Sequence, residues 1–534
     1  MTTTATAKAA APTRHATTRP APRWWADAAG LCAGVTLLIV VALWVAHGGV
    51  QEVTGGGWAA VSAIGRLAGL LASDLMLLQV LLLARIPIVE RAFGQDRLAR
   101  WHRWTGFTSF HLMLAHIVLI TLGYAGPMSD NVFATFWDLI TTYPGMLLAL
   151  AGAVLLVMVV VTSLRAARRR LRYESWHLLH LYAYLGVGLA LPHQLWTGGD
   201  FVASPTARVY WWTLYAASAG AVLAYRVGLP VWRTMRHRLE VAEVVSEGPG
   251  LTSIYLRGRH LGSLPVRAGQ FFLWRFLDGP GWSRAHPYSL SGPPRPDKLR
   301  ITVKDLGDDS ARVATLRPGT RVLVEGPYGK LTGETYDGGP VTMLACGIGI
   351  TPLLALLWDL PYRPGEATLV YRARTAEDLA FRSELDWLAA RRGVRVVTLL
   401  GPRAKTSWLP DQYAESMHSD RPHACAPDVI AGGSPVRQGS SDRPHACAPD
   451  VIAGGSPVRQ GSSDRPHVCA PDVIAGGSPV RQGSDVQALR RIVPGVDRHH
   501  LYICGPDGWT ERVREAASAA GVPADRVHTE HFAW

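Results

Sequence analysis

Four histidines sit in stretches that are otherwise apolar enough to lie in a bilayer. His102 and His116 belong to "WHRWTGFTSFHLMLAH" (101–116), and His180 and His193 to "SWHLLHLYAYLGVGLALPHQL" (175–195). An ionisable side chain is costly in hydrocarbon, which makes each a candidate functional group. The first pair is fourteen residues apart and the second thirteen. On a helix either separation is roughly 20 Å along the axis. Fourteen residues is close to four turns, so His102 and His116 share a face. Thirteen leaves an offset of about 140°, which a bend at Gly186, Gly188 or Pro192 would correct. Two facing imidazoles at each of two depths would hold two six-coordinate haems, because imidazole is a standard axial ligand to haem iron. Taken singly, such a histidine reads equally well as a buried side chain bonded to its neighbours. A mobile-metal or proton pathway is the other functional reading of all four. His111 lies off the shared face and His177 a turn outside His180, so both read as structural.

The elements that carry these residues are apolar runs near 28–48, 58–84, 104–124, 144–164, 175–196 and 208–228. Each reaches the roughly 20 residues needed to cross hydrocarbon, and together they predict six transmembrane helices. Arginine sets their orientation. Arg85, Arg91, Arg97, Arg100 and Arg103 follow the second run, Arg165, Arg168, Arg169, Arg170 and Arg172 the fourth, and Arg233, Arg236 and Arg238 the sixth. The opposite loops, 49–57, 125–142 and 197–207, hold no Lys or Arg. This asymmetry predicts that the N-terminus, the Arg-rich loops and the C-terminal half are cytoplasmic, in a multi-pass cell-membrane protein. His102 and His180 then lie near the inner surface, and His116 and His193 near the outer one.

The chain has 534 residues, a net charge of +13, 48% hydrophobic and 18% charged residues, and a mean hydropathy of +0.10. So apolar a composition argues against an ordinary soluble protein. The basic balance is mostly a topology signal, and no basic face with interleaved aromatics points to nucleic acid. Of the six cysteines, three sit in copies of one repeat, so no disulfide framework is evident. No cleavable signal peptide is evident, and residues 1–25 read as a disordered cytoplasmic tail.

From about residue 236 the pattern changes. "HRLEVAEVV", "LTSIYLRG", "FFLWRFL", "LRITVKDL" and "RVLVEGPYG" are short runs split by Gly and Pro. They predict the strands of a small antiparallel β-barrel over 236–335. "VTMLACGIGITPLLALLWDL" reads as a buried strand, a glycine turn and a helix, with Thr351 at the N-cap and Pro352 in the first helical position. Gly347 and Gly349 let backbone approach a phosphate. "ATLVYRAR", "VRVVTLL" and "HHLYICG" alternate with helical stretches, which predicts a parallel α/β sheet over 338–534.

"HPYSLSG" (286–292), "GIGITP" (347–352), "YICGPDGW" (502–509) and "HTEHFAW" (528–534) together resemble the ferredoxin-NADP reductase superfamily, over nearly all of 236–534. The six-run layout with its two histidine pairs, over 26–232, resembles the transmembrane domain of the ferric reductase and NADPH oxidase family. That resemblance implies an inner and an outer haem b on His102/His180 and His116/His193. It also places Arg66 beside the outer haem, although a pair with Asp74 is an equal reading. Oxidases of the family carry a second histidine one turn beyond the outer ligand. Here that position is Ile120, which weakens the case for oxygen as acceptor. In the cytoplasmic half the resemblance implies that His286, Pro287, Tyr288 and Ser289 line the FAD. Soluble members have an arginine where His286 stands. Lys304, Gly307 and Ser310 match the segment around the FAD pyrophosphate. Gly347, Gly349, Thr351 and Pro352 match the NAD(P)H pyrophosphate turn, and Arg374 the arginine near the adenosine 2′-phosphate. Cys504, Gly505 and Pro506 would lie beside the nicotinamide, and Trp534 would stack on the flavin.

Residues 419–484 hold three near-identical copies of "SDRPHACAPDVIAGGSPVRQGS", read as a tandem duplication in a surface loop and as disordered. Taken together, the resemblance implies electron transfer from cytoplasmic NADPH or NADH through FAD and two haems to an extracytoplasmic acceptor, ferric chelate or O2. A metal or proton transporter with a flavin-dependent regulatory half is the alternative.

Overall fold

The computed structural model describes residues 24–128, 131–168, 170–171, 173–279, 281–404, 407–411, 472–474 and 485–531. The expected N-terminal tail to residue 23, most of the repeat insertion and Trp534 lie outside the described residues.

Six long helices come first: Trp24–Ala46, Gly57–Leu82, Gln95–Ala125, Met146–Ser163, Tyr173–Trp196 and Pro205–Ala221. The sixth passes without a break into a π-helical stretch, Val222–Gly228, and then into a further helix, Leu229–His237. Five of these are long and apolar enough to cross a membrane, with the sixth counted through to His237. The helix Tyr173–Trp196 is long enough but less apolar. Its polar groups, His177, His180, His193 and Gln194, account for that.

Glycine sets how closely the helices approach. A Cβ on Gly152 would lie 2.6 Å from the Gly186 carbonyl oxygen, so the fourth and fifth helices meet backbone to backbone. Gly65 and Gly69 on the second helix do the same for the third: a Cβ at Gly65 would lie 3.0 Å from Leu119 and 3.1 Å from the Ile120 nitrogen. Gly186 is thus a packing residue, and the fifth helix runs on through Pro192 as one element.

The C-terminal half begins with two three-stranded antiparallel sheets. Their orders are β1-β2-β5 and β4-β3-β6, with β1 Glu240–Gly248, β2 Leu251–Arg257, β3 Phe271–Phe276, β4 His286–Ser289, β5 Lys298–Lys304 and β6 Val322–Tyr328. Two isolated bridges, Glu240 with Arg321 and Leu290 with Ile301, tie the sheets together at both edges. Between them lies a core of Leu239, Ile254, Leu256, Phe272, Trp274, Leu290 and Ile301.

A six-stranded parallel sheet follows, in the order β10-β9-β8-β7-β11-β12. Its strands are β7 Val341–Cys346, β8 Ala367–Ala373, β9 Arg395–Leu400, β10 Asp472–Ile474, β11 His500–Gly505 and β12 Val527–His531. The short edge strand β10 is "DVI" from the third repeat copy, paired with β9. Helices cover both faces, over one core that includes Leu353, Leu357 and Leu388 and another that includes Leu489, Val513 and Ala517. Strand order reverses between β7 and β11. In a sheet of this kind that reversal opens a crevice at the carboxyl ends of the two strands.

Candidate functional site

The third helix carries His102 and His116, and the fifth His180 and His193. The rings of His102 and His180 lie 5.9 Å apart, centre to centre. Their planes are 62° apart, and an iron held between them could take one nitrogen from each ring. His193 lies within electrostatic reach of His116.

The other nitrogen of each ring is also placed. Nδ1 of His102 bonds the Gln79 carbonyl at 3.1 Å, and Nδ1 of His116 bonds the Gly65 carbonyl at 2.8 Å. Nδ1 of His193 bonds the Ala190 carbonyl, and Nδ1 of His180 bonds the Ser163 hydroxyl at 3.2 Å. A carbonyl can only accept, so in three of the four rings Nδ1 carries the hydrogen and Nε2 presents its lone pair. This is the arrangement that orients and tunes metal-ligating histidines. Each pair supplies two donors, which suits an ion whose other positions a porphyrin fills. His111 bonds Phe107 on its own helix, as His193 bonds Ala190, but unlike the four candidate ligands it is exposed.

Arg66 pairs with Glu52 at 2.7 Å and with Asp200 at 3.0 Å. The expected alternative partner, Asp74, is fully buried elsewhere, held by Tyr210 and Thr36 hydroxyls. The reason is helical phase: eight residues is 800°, which leaves the two side chains about 80° apart on one helix. Ile120 packs its Cδ1 against Gly65.

In the antiparallel sheets, His286 stacks on Tyr288 with ring centres 5.8 Å apart and planes 9° from parallel. The Ser289 hydroxyl oxygen is buried with no hydrogen-bond partner among the described residues, an orphan that a flavin nitrogen or oxygen would satisfy. His286 also lines a shallow cleft with Trp282, Arg284 and Arg312. Those three residues went unnoticed in the sequence. A basic residue two positions before His286 was the available signal. Lys304 bonds Asp378 at 3.1 Å, and this partner holds the Asp378 carboxyl below the ordinary range. Ser310 Oγ accepts from Leu306 N and donates to the Gly307 carbonyl, so it shapes the turn in which Gly307 takes φ 136°.

At the sheet crevice, Gly347 has φ 58° and opens a 3-10 turn, Gly347–Gly349. The helix proper is Ile350–Asp359. Thr351 is therefore not its N-cap. Gly349 holds that place, and Thr351 Oγ1 donates back to Ile348 at 3.0 Å. The tighter turn moves the helix start forward, while Pro352 stays in the first turn, where its missing N–H costs nothing. A Cβ on Gly349 would collide with the Cys504 carbonyl, so Gly349, Cys504 and Gly505 meet at the strand reversal. Burial pushes the Cys504 thiol well above its usual range, so it stays a neutral, compact side chain. Pro506 caps the following helix, Asp507–Ala519. Arg374 is exposed just beyond β8. Arg372, Arg403 and Lys304 all act electrostatically on Cys346, which makes the glycine turn a cationic place.

Residues 68–191 match the family described as ferric reductase like transmembrane component. Human dual oxidase 2 is 23% identical over 307 residues, covering 52% of this chain and 19% of its own length. The flavohemoprotein of Bordetella pertussis is 30% identical over 190 residues, covering 34% of this chain and 45% of its own. The chain thus spans less than half the length of these relatives. The FAD/NAD binding domain of a Vibrio cholerae nitric oxide dioxygenase superposes with a TM-score of 0.36 at 19% identity, over 55% of this chain and 98% of that one. The chain resembles a ferric reductase/NADPH oxidase-like fusion: a membrane region of the first kind joined to a reductase-type flavin and nicotinamide region.

Proposed function

We propose that the chain carries electrons across a membrane, from NAD(P)H in the cytoplasm to an acceptor on the far side. The observation that carries this reading is the set of four histidines with Nδ1 engaged, one pair of them with ring centres 5.9 Å apart. If bound, nicotinamide, flavin and haem would supply hydride donation, its division into single electrons and one-electron relay. The balance is NAD(P)H + 2 A → NAD(P)+ + H+ + 2 A−, with A a one-electron acceptor.

The chain's own residues position and insulate. His102 with His180, and His116 with His193, are the ligand pairs of an inner and an outer haem b in a six-span bundle. Tyr288 and His286 present a stacked pair to the FAD, Ser289 donates to it, and the two linked sheets form the barrel that holds it. Arg284 and Arg312, which line the cleft beside His286, together with Lys304, Gly307 and Ser310 would hold its phosphates. Gly347, Gly349, Thr351 and Pro352 take the NAD(P)H pyrophosphate. Cys504, Gly505 and Pro506 form the floor for the nicotinamide, and Trp534 shields the flavin in its absence. Arg374 favours NADPH over NADH. The apolar Ile120, where oxidases of the family carry a second histidine, favours ferric chelate over O2 as acceptor.

The test is the spectrum of the purified chain. A bis-histidine haem b signal reduced by NADPH is expected, and His116→Ala or His193→Ala should retain the inner haem alone. A haem-free membrane region refutes the reading. It would favour the transporter alternative, for which the buried Asp74–Tyr210–Thr36 cluster is the supporting feature.

A further inference from the structure

Three parts of the chain converge on one short segment, residues 325–331, at the end of β6 and the turn beyond it. Glu325, 6% exposed, meets Arg226 at 3.3 Å, Arg275 at 3.6 Å and the Tyr328 hydroxyl at 2.8 Å. Arg226 comes from the π-helical stretch of the sixth helix, a kind of irregularity frequent at functional sites. Arg275 comes from β3, the neighbour of the strand that carries Tyr288. Further along the same helix, Arg233 donates to the Gly326 carbonyl, and Thr234 Oγ1 accepts from Val324 N at 3.3 Å.

The loop between the second and third helices grips the segment from another side. Arg85 lays its guanidinium over the Tyr328 ring at 4.1 Å and pairs with Glu90 at 3.0 Å. Lys330 Nζ donates to the Ala92 carbonyl at 2.9 Å. From the parallel sheet, Glu530 on β12 accepts from the Lys330 and Leu331 amides at 3.2 and 3.3 Å. On the membrane side, Glu325 and Arg226 are close enough to His177 to act on it, and His177 is one turn from His180. The segment therefore belongs to the sheet that carries Tyr288 and reaches, through Glu325 and Arg226, toward His177 beside the inner histidine pair.

Two features set this contact apart from ordinary packing. Arg85 holds φ 64°, a left-handed backbone that is strained for a non-glycine residue. The charges are withdrawn from water, with side-chain exposures of 8% for Arg85 and 12% for Glu90. A buried ion pair adds little stability over an apolar contact of the same shape, but it fixes geometry.

We infer that this junction is the docking joint that sets the flavin sheet against the inner haem, with Arg85 and Glu325 as positioning residues. The inference rests on the electron-transfer reading. It requires that loosening the joint slow electron passage into the membrane region while the flavin half keeps its own chemistry.

The test uses the full-length holoprotein with Arg85→Gly and Glu325→Gln. Glycine adopts φ 64° freely, so the first variant removes the grip without adding backbone strain. Two rates are compared: NADPH-driven reduction of a soluble dye that takes electrons at the flavin, and anaerobic reduction of the haem. Amide hydrogen exchange is followed over 85–94 and 322–331, independently of turnover. Dye reduction should stay within about twofold while haem reduction falls at least tenfold, and exchange in both segments should rise. An unchanged ratio of the two rates, or unchanged exchange, overturns the joint. A wild-type chain that binds no haem would instead refute the underlying reading, and it would do so before any variant is made.

Discussion

Gly69→Ala is the sharpest single test of the outer site. A Cβ at position 69 would stand 2.5 Å from His116 Nδ1 and 2.8 Å from its Cε1. Carbon and nitrogen rest at about 3.5 Å, so the ring must retreat by roughly 1 Å. It cannot do so freely, because Nδ1 is tied to the Gly65 carbonyl at 2.8 Å, one turn away on the same helix as the intruding methyl. Ligating groups tolerate about 0.5 Å of displacement. Loss of such an outer hydrogen bond typically weakens metal binding 10–100-fold, which is about 1.4–2.8 kcal/mol. Alanine itself favours a helix by about 1 kcal/mol over glycine, so the second helix should not be weakened intrinsically. Gly188→Ala is the matched control. It brings the same helical gain on the fifth helix, with nothing among the described residues within 4 Å of the new methyl. Haem-to-protein ratio and haem titration of the purified chains are the assay. Gly69→Ala should keep the inner haem and bind the outer one 10–100-fold more weakly, while Gly188→Ala should match wild type. Two haems of wild-type affinity in Gly69→Ala, or an equal defect in both variants, would refute the argument.

His528 stacks on His500 and Tyr502 in β12, where burial and the neighbouring His500 bring it from 6.5 down to about 4. As pH falls the unfolded chain takes up this proton first. About 3 kcal/mol of stability should therefore be lost between pH 6.5 and 4, and His528→Phe should flatten that part of the thermal-midpoint profile. Gly349→Ala sets a methyl against the Cys504 carbonyl, a backbone atom that cannot swing aside. NADPH affinity by calorimetry should drop at least tenfold while flavin content holds. Glu384 takes two bonds from Arg300, at 2.8 and 3.1 Å, and one from Trp358. Glu384→Ala leaves a mostly buried guanidinium unpaired and should cost about 3 kcal/mol in denaturant unfolding. The double variant Glu52→Gln, Asp200→Asn releases Arg66 from both partners. Reduction of an anionic ferric chelate should rise severalfold at low salt and return to wild type at high salt.

Where a signal was written in period or punctuation, the sequence was legible. The apolar runs carry long helices, the Gly- and Pro-split segments carry strands, and "CGIGITP" lies at the reversal of strand order. Partners far apart in the chain were not legible. Arg66 meets residues 14 and 134 positions away, and only the packed bundle brings Glu52 and Asp200 to it. Arg284, in the loop between β3 and β4, and Arg312, in the short helix that precedes β6, line one cleft although they are far apart in the sequence. The first turn of Ile350–Asp359 was misplaced because a 3-10 turn and an α-turn share the same residue preferences.

The histidines mark the same boundary within a single side chain. Residue type and a near-integral number of turns were enough to select His102 and His116. Which ring nitrogen faces the partner helix depends on what Nδ1 finds behind it: the carbonyls of Gln79 and Gly65, on a different helix. Gly65 and Gly69 are glycine because that helix must come close enough for its backbone to serve as the acceptor. Close packing of the second and third helices and the ligand chemistry of His116 are therefore one requirement. A substitution that pushes the two helices apart should remove the outer haem even where it touches no histidine. Gly65→Val meets that description, because its side chain would press on Leu119 and Ile120. An outer haem of normal affinity in that variant would show that His116 keeps its orientation without the Gly65 carbonyl.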